Sequence, residues 1–346
     1  MTYHEQQTAQ HILKLREMQK SLPAFVSGFF RAISDLTASH TKVAYAYDLR
    51  IFFTFLSEEL FDGKQATDIT EQDMAQVTSD HIEEFMQYLT YYFSEKEPDE
   101  AKQNAALGKS RKLAAVRGLF KHLYKKKILP ANPAELVDFP KINKKIITTL
   151  DVDEIAMLLD EVDSGEKLTP RQKMFHEQTK IRDAAIITLL LGTGMRVSEC
   201  VGLDISDLDV KVNGLRVTRK GGDEMVLYFG DEVSDALYAY LEVREKITPI
   251  AGHENALFIS MKNRRITDRA IQNMVKKYAQ LITKLKNISP HKLRSTYGTQ
   301  LYAETGDIYL VASVLGHADV NTTRKHYVKM DDTYRRKAAN AVKLRV

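Results

Sequence analysis

Leu191-Gly192-Thr193-Gly194-Met195-Arg196-Val197-Ser198-Glu199 sets an arginine and a carboxylate three residues apart, just after two closely spaced glycines. The glycines allow a tight backbone turn, and a helix resuming beyond it carries Arg196 and Glu199 on one face. Ser289-Pro290-His291-Lys292-Leu293-Arg294 repeats the spacing with histidine and arginine. Ser289 reads as a helix N-cap and Pro290 as the first helical residue, so His291 and Arg294 occupy an opening turn. Amides without helical partners and the helix dipole favour an anion there. Phosphate suits such a turn.

Between these stretches the hydrophobic period changes. Gly214-Leu215-Arg216-Val217-Thr218 and Glu224-Met225-Val226-Leu227-Tyr228 alternate like strands around Arg219-Lys220-Gly221-Gly222-Asp223, which predicts a hairpin whose glycines supply the positive φ angles. Lys220 rides at its tip. A lysine in an exposed turn ordinarily does nothing but stay solvated, and the order of its companions gives this one a role. Arg219 is its close rival, but an always-charged guanidinium makes a poor proton donor. Further on come Leu315-Gly316-His317-Ala318 and, ten residues past that histidine, Tyr327. Each residue has a bland reading: Glu199 as a helix-surface carboxylate, His317 as a loop histidine, His291 and Arg294 as a chance pair. The bland readings fail together, because two guanidiniums and histidines that clamp a phosphate, with a phenol to attack it, make a phosphoryl-transfer site that needs no metal.

Through Thr218-Arg219-Lys220-Gly221-Gly222, Pro290-His291-Lys292-Leu293-Arg294 and Leu315-Gly316-His317-Ala318 the chain resembles the tyrosine recombinases, the family of Cre, phage integrases and the Xer resolvases. It is most similar to the single-component XerS type. The likeness covers roughly residues 150–330, and over the N-terminal half it is one of general pattern. In many members the tyrosine falls nine residues after the Leu-Gly-His histidine, whereas here position nine is His326 and Tyr327 is tenth.

The resemblance implies a mostly α fold with a small β-sheet. A helical, SAM-like core-binding domain over residues 1–140, a basic linker at 141–150, an α+β catalytic domain at 151–330 and a tail at 331–346 that docks on a neighbouring protomer would close as a C-shaped clamp on DNA. It implies a catalytic set of Arg196, Lys220, His291, Arg294, His317 and the nucleophile Tyr327, supported by Glu199. In that scheme Tyr327 attacks phosphorus to leave a 3′-phosphotyrosine and the arginines stabilise charge on the non-bridging oxygens. His317 donates to one of those oxygens, His291 assists the phenol or binds the phosphate, and Lys220 protonates the departing 5′ oxygen. Neither a metal nor any other cofactor is expected. The implied partners are double-stranded DNA with an inverted-repeat site, three further copies of the chain in a tetramer on two sites, and a possible septal DNA translocase.

Composition is consistent with this and excludes other classes. The chain has 346 residues, ample for two cored domains, and 44% of them are hydrophobic. One cysteine, Cys200, excludes a disulfide framework and a four-cysteine zinc site, and points to the reducing cytoplasm. No apolar run approaches the ~20 residues of a membrane span, and the polar start is unlike a signal peptide. The net charge of +4 says little about DNA; the placement of charge says more.

Residues 1 to about 140 read as helical, without a convincing strand. Tyr45, Leu49, Phe52, Phe53 and Leu56 form the apolar side of a helix from about Thr41 to Leu60, as core rather than base-stacking aromatics. Leu113, Val116, Phe120 and Leu123 form another stripe, with Lys112, Arg117 and Lys121 largely outside it; these three, with Lys144 and Lys145 of the linker, are the DNA-contact candidates. Leu129-Pro130-Ala131-Asn132-Pro133 stops that helix. The polar stretch from Asp163 to Lys180 reads as a loop or frayed helix. Tyr302, Tyr309 and Tyr334 are alternative tyrosines, the first two expected to pack against the helices flanking Gly306-Asp307. Three rival classes stand beside a recombinase: a type IB topoisomerase that relaxes DNA as a monomer, a metal nuclease, which would need a carboxylate cluster, and a non-catalytic DNA-binding regulator. Within recombinases, a mobile-element integrase shares every residue named.

Overall fold

The computed structural model describes residues 2–94, 97–142, 148–209, 211–219, 222–316, 320 and 323, and it divides into two compact units, Met1–Lys144 and Lys145–Val346. Lys144, Lys145, Lys220, His317, Tyr327, Tyr334 and the tail lie outside the described residues.

The first unit runs α1 (Tyr3–Gln19), α2 (Val26–Ala32), α3 (Ser39–Glu59), α4 (Glu71–Met74), α5 (Ser79–Tyr88), β1 (Tyr92–Ser94), β2 (Glu97–Lys102) and α6 (Ala106–Lys125). Its helices start where short polar side chains can take orphan amides: Thr2 pairs with Glu5 at α1 and Thr70 with Asp73 at α4 as reciprocal caps. α3 packs on α1 and α6, with Leu49, Phe52, Phe53 and Leu56 buried. Phe52 meets Phe85 edge-on at 5.0 Å and Phe120 at 6.2 Å, so α3, α5 and α6 share one aromatic core, as the stripes predict.

Two expectations fail in this unit. A hairpin exists: β1 and β2 pair antiparallel, Tyr92 opposite Lys102. Glu97-Pro98-Asp99-Glu100-Ala101-Lys102 has neither alternation nor β-branched residues, so nothing in its composition signals a strand. Lys112 is buried rather than outside the stripe, its Nζ 3.7 Å from the fully buried Asp48 and 3.0 Å from Asn104 Oδ1.

The second unit runs α7 (Val152–Ser164), α8 (Pro170–Thr193), α9 (Val197–Gly202), β3 (Leu208–Asp209), β4 (Gly214–Thr218), β5 (Glu224–Tyr228), α10 (Asp231–Arg244), α11 (Asp268–Ile282), α12 (Pro290–Thr305) and α13 (Ile308–Leu315). The three strands form one antiparallel sheet in the order β3-β4-β5, and Gly214 faces Tyr228 while Thr218 faces Glu224. The mostly helical fold with a small sheet is therefore as expected. α8 is the scaffold, with α7, α10 and α12 packed against it.

The stretch 163–180 is ordered differently from its reading. α7 runs to Ser164, Gly165 ends it in the left-handed conformation, and Thr169 with Pro170 opens α8 through a reciprocal bond with Gln172. The N-terminal half of α8 buries polar groups at His176, Thr179 and Asp183. Asp183 accepts from Arg182 at 2.7 Å, Thr179 at 3.0 Å and the Tyr278 hydroxyl at 3.2 Å, and His176 Nδ1 lies 3.0 Å from that hydroxyl. This network locks α8 to α11, and burial, followed by the charge of Asp183, pushes the Tyr278 phenol far up.

Candidate active site

Three helix ends build the site. α8 stops at Gly194, whose φ of +62° is left-handed and whose missing side chain leaves room for Tyr297 and Leu315. Arg196 follows as the N-cap of α9, in extended backbone, so it precedes the helix instead of lying on it; Glu199 is the third helical residue. Gly192, the other glycine of the stretch, is within α8, where a β-carbon would collide with Val233. The Arg196–Glu199 pairing is nonetheless present. The carboxylate accepts the Arg196 backbone amide at 2.8 Å and its Nη1 at 2.6 Å, with Glu199 buried and the Arg196 side chain 36% exposed. A buried carboxylate so placed fixes the guanidinium's direction.

α12 opens at Ser289 and Pro290 as expected, with His291 exposed and Arg294 buried in its first turn. Arg294 Nη1 donates to Gly194 O at 2.8 Å and Nη2 to Leu315 O. Arg196 Nη2 reaches the neighbouring carbonyl, Gly316 O, at 3.1 Å. The last carbonyls of a helix have no partner within it and carry its negative dipole end. Here guanidiniums from two distant segments take those of α13, which brings Arg196, Glu199 and Arg294 into one site.

A third guanidinium joins them. Arg219, at the end of β4, donates Nη2 to Val314 O at 2.7 Å and Nη1 to Ser313 O at 3.5 Å. Burial, opposed by Glu199 and aided by Arg196, lowers its pKa. By residue type alone Arg219 is only a rival acid to Lys220, and no spacing reveals a contact with a segment some 95 residues away. The hairpin itself is as predicted, with Arg219 N donating to Asp223 O at 2.7 Å and Gly222 at φ +96°. Of the alternative tyrosines, Tyr302 packs against the Val311 and Leu315 cluster, whereas Tyr309 is exposed and does not pack as expected.

The DNA-contact candidates of the first unit divide. Arg117 donates to three carbonyls, Ala134 O and Glu135 O at 2.9 Å and Val137 O at 2.8 Å, and lies over the Phe139 ring at 4.5 Å. It braces the segment after α6. Lys112 faces the Asp48 carboxylate, and Lys121 is exposed.

The profile of the phage integrase family matches residues 148–333, more than half of the chain. The chain belongs to the phage integrase family, the tyrosine recombinases. Relatives within it include the tyrosine recombinase XerC of Caldanaerobacter subterraneus subsp. tengcongensis, 32% identical over 330 residues that cover 92% of this chain and 86% of that one. The tyrosine recombinase XerC of Pelobacter propionicus is 32% identical over 293 residues, 84% of this chain and 86% of the relative. Among solved structures, the XerH site-specific recombinase bound to a palindromic difH substrate superposes with a TM-score of 0.62 at 20% identity, over 87% of this chain and 78% of that one. A lambda integrase dimer bound to a core site gives 0.61 at 13% identity, over 88% and 94%. At these identities the structures share the fold.

Proposed function

We propose that this chain is a site-specific recombinase that cuts and rejoins duplex DNA through a 3′-phosphotyrosine, and that it resolves chromosome dimers in the manner of a single-component, XerS-like enzyme at one dif-like inverted repeat. The observation that carries the chemistry is the convergence of Arg196 and Arg294 on the end of α13, inside the stretch that matches the family. Two fixed guanidiniums, one oriented by a buried carboxylate, form a preorganised receptor for the charge that grows on the non-bridging oxygens of a phosphodiester under attack.

In the reaction Tyr327 Oη forms a bond to phosphorus as the P–O5′ bond breaks. The phenol's proton passes to His291, the electron pair of the broken bond leaves on O5′, and that oxygen takes a proton from Lys220 Nζ. His317 donates to a non-bridging oxygen. The ester energy is kept in the phosphotyrosine, so a 5′ hydroxyl from the partner duplex religates the strand by the reverse step without ATP. Two such exchanges among four copies of the chain on two sites complete a crossover, and the tail beyond residue 330 links neighbouring copies. Lys121, Lys144 and Lys145 contribute phosphate contacts, while Lys112 and Arg117 shape the surface from beneath. The enzyme works in the cytoplasm on the chromosome, with a septal translocase bringing the sites together. Two XerC relatives similar over more than four-fifths of the chain support the resolvase reading.

Genome-wide mapping of covalent protein–DNA adducts tests chemistry and role together. A single chromosomal inverted repeat is the expected result. Adducts at the ends of a mobile element would make the chain an integrase, and the absence of adducts would remove the recombinase reading.

A further inference from the structure

The Arg219 contact joins two segments that each end within two residues of a residue of the proposed chemistry. Arg219 precedes Lys220, and the carbonyls it holds lie on Ser313 and Val314, in the last turn of α13 before Gly316 and His317. The contact is built from both sides. Gly316 adopts φ +61°, and a β-carbon there would overlap the Arg219 guanidinium, so the close approach requires a residue without a side chain. On the hairpin side, the Arg219 amide donates to Asp223 O and its carbonyl accepts from Gly222 at 3.0 Å, which closes the base of the turn. Arg219, Arg294 and Arg196 thus take four consecutive carbonyls, Ser313 to Gly316, from one helix end.

A hairpin of two five-residue strands needs a further anchor if it is to hold a proton donor in one place, since a hairpin by itself is only marginally stable and leaves the chain freedom to shift. A planar fork bonded to two carbonyls removes that freedom at the residue where it matters most. We infer that Arg219 is a positioning residue: it docks the β4–β5 hairpin on the end of α13 and so fixes where Lys220 stands relative to His317 and the scissile phosphate. It transfers no proton itself. The inference rests on Lys220 being the general acid.

The test is single-turnover cleavage by the full-length protein on a suicide substrate, made with an ordinary phosphodiester and with sulfur at the 5′-bridging position. A thiolate leaves without a proton, so the sulfur substrate no longer needs the acid. Arg219→Ala is expected to cleave the ordinary substrate ~10- to 100-fold slower, a part of the ~10²- to 10⁴-fold that a general acid supplies, and to return close to the wild-type rate on sulfur. Lys220→Ala shows the same rescue from a lower starting rate, and the double variant is no slower than Lys220→Ala alone. Arg219→Lys, which keeps the charge and loses the fork, falls between Ala and wild type. Gly316→Ala, which forces the guanidinium off the helix end, repeats the rescue; it serves as the second variant should Arg219→Ala unfold.

The outcomes separate the two claims. If Lys220→Ala is not rescued by sulfur, the general-acid reading falls. If Lys220→Ala is rescued but Arg219→Ala cleaves both substrates at the wild-type rate, or loses the same factor on both, Arg219 does not position the acid.

Discussion

Arg294 is the residue where fold and chemistry are hardest to separate, and its substitution makes the most demanding prediction. Its guanidinium is buried and joins Gly194 O at the end of α8 to Leu315 O at the end of α13. Arg294→Ala leaves both carbonyls without that donor. A buried acceptor so stranded costs ~1–3 kcal/mol, so the pair costs about 2–6 kcal/mol if water cannot enter. α13 has only eight residues, Val311, Ala312 and Leu315 are its buried ones, and Arg196 and Arg219 hold the rest of its end, so a loss at Leu315 O is felt locally. At ~1.4 kcal/mol per factor of ten, amide exchange in α13 should quicken by about one to four orders of magnitude. Cleavage should fall by at least the ~10²- to 10³-fold expected for one lost donor to a developing oxyanion. Arg294→Lys should restore little of either, because one ammonium cannot span carbonyls on two helices as the fork does.

Hydrogen exchange read by mass spectrometry on α8 and α13 peptides, beside single-turnover covalent trapping, separates the two losses. Unchanged exchange in α13 with full loss of cleavage would show that Arg294 does not hold the helix end. Near-normal cleavage by Arg294→Lys would refute the bidentate role.

Three further outcomes follow from the same reasoning. Tyr327→Phe should abolish the covalent adduct and leave specific DNA binding nearly unchanged, because one hydroxyl carries the chemistry and many phosphate contacts the affinity; an adduct on Tyr334 by peptide mapping would move the nucleophile. Burial, against the pull of Arg111 and Lys112, pushes the Asp48 carboxyl up from 3.8 to about 6, so the folded first unit binds the extra proton between those values. Its stability should therefore decline by about 2 kcal/mol as pH rises from 4 to 6, out of about 3 kcal/mol in all, and level off above about pH 7, a slope that Asp48→Asn removes in denaturant titrations; stability rising over that window through Asp48 would reverse the sign. Deletion after Met330 should weaken tetramer assembly and recombination more than binding to a single arm, measured by gel shift and strand exchange; equal loss of all three would make the tail part of the monomer fold.

What could be read from the chain depends on how local the cause is. β4 and β5 were legible because alternation and a glycine-rich turn act within fifteen residues, and α12 because Ser289-Pro290 is a start signal that needs no tertiary context. The opening of α8 carried an equally local signal, Thr169-Pro170 with Gln172, but its buried face is His176, Thr179 and Asp183, so the apolar periodicity that usually confirms a helix is absent. Lys112 was misplaced for a related reason. A lysine is buried only with a partner, and its partner, Asp48, stands 64 residues earlier on another helix. The site shows both cases at once. Arg196, Glu199, His291 and Arg294 could be picked out by their types at short spacing, whereas the receptor of the arginines, the row of carbonyls from Ser313 to Gly316, consists of backbone and has no residue signature. A helix end becomes an arginine receptor only when tertiary packing delivers the arginines. The residue that closes this arrangement, Arg219, could accordingly be named from the sequence but given its task only by the fold.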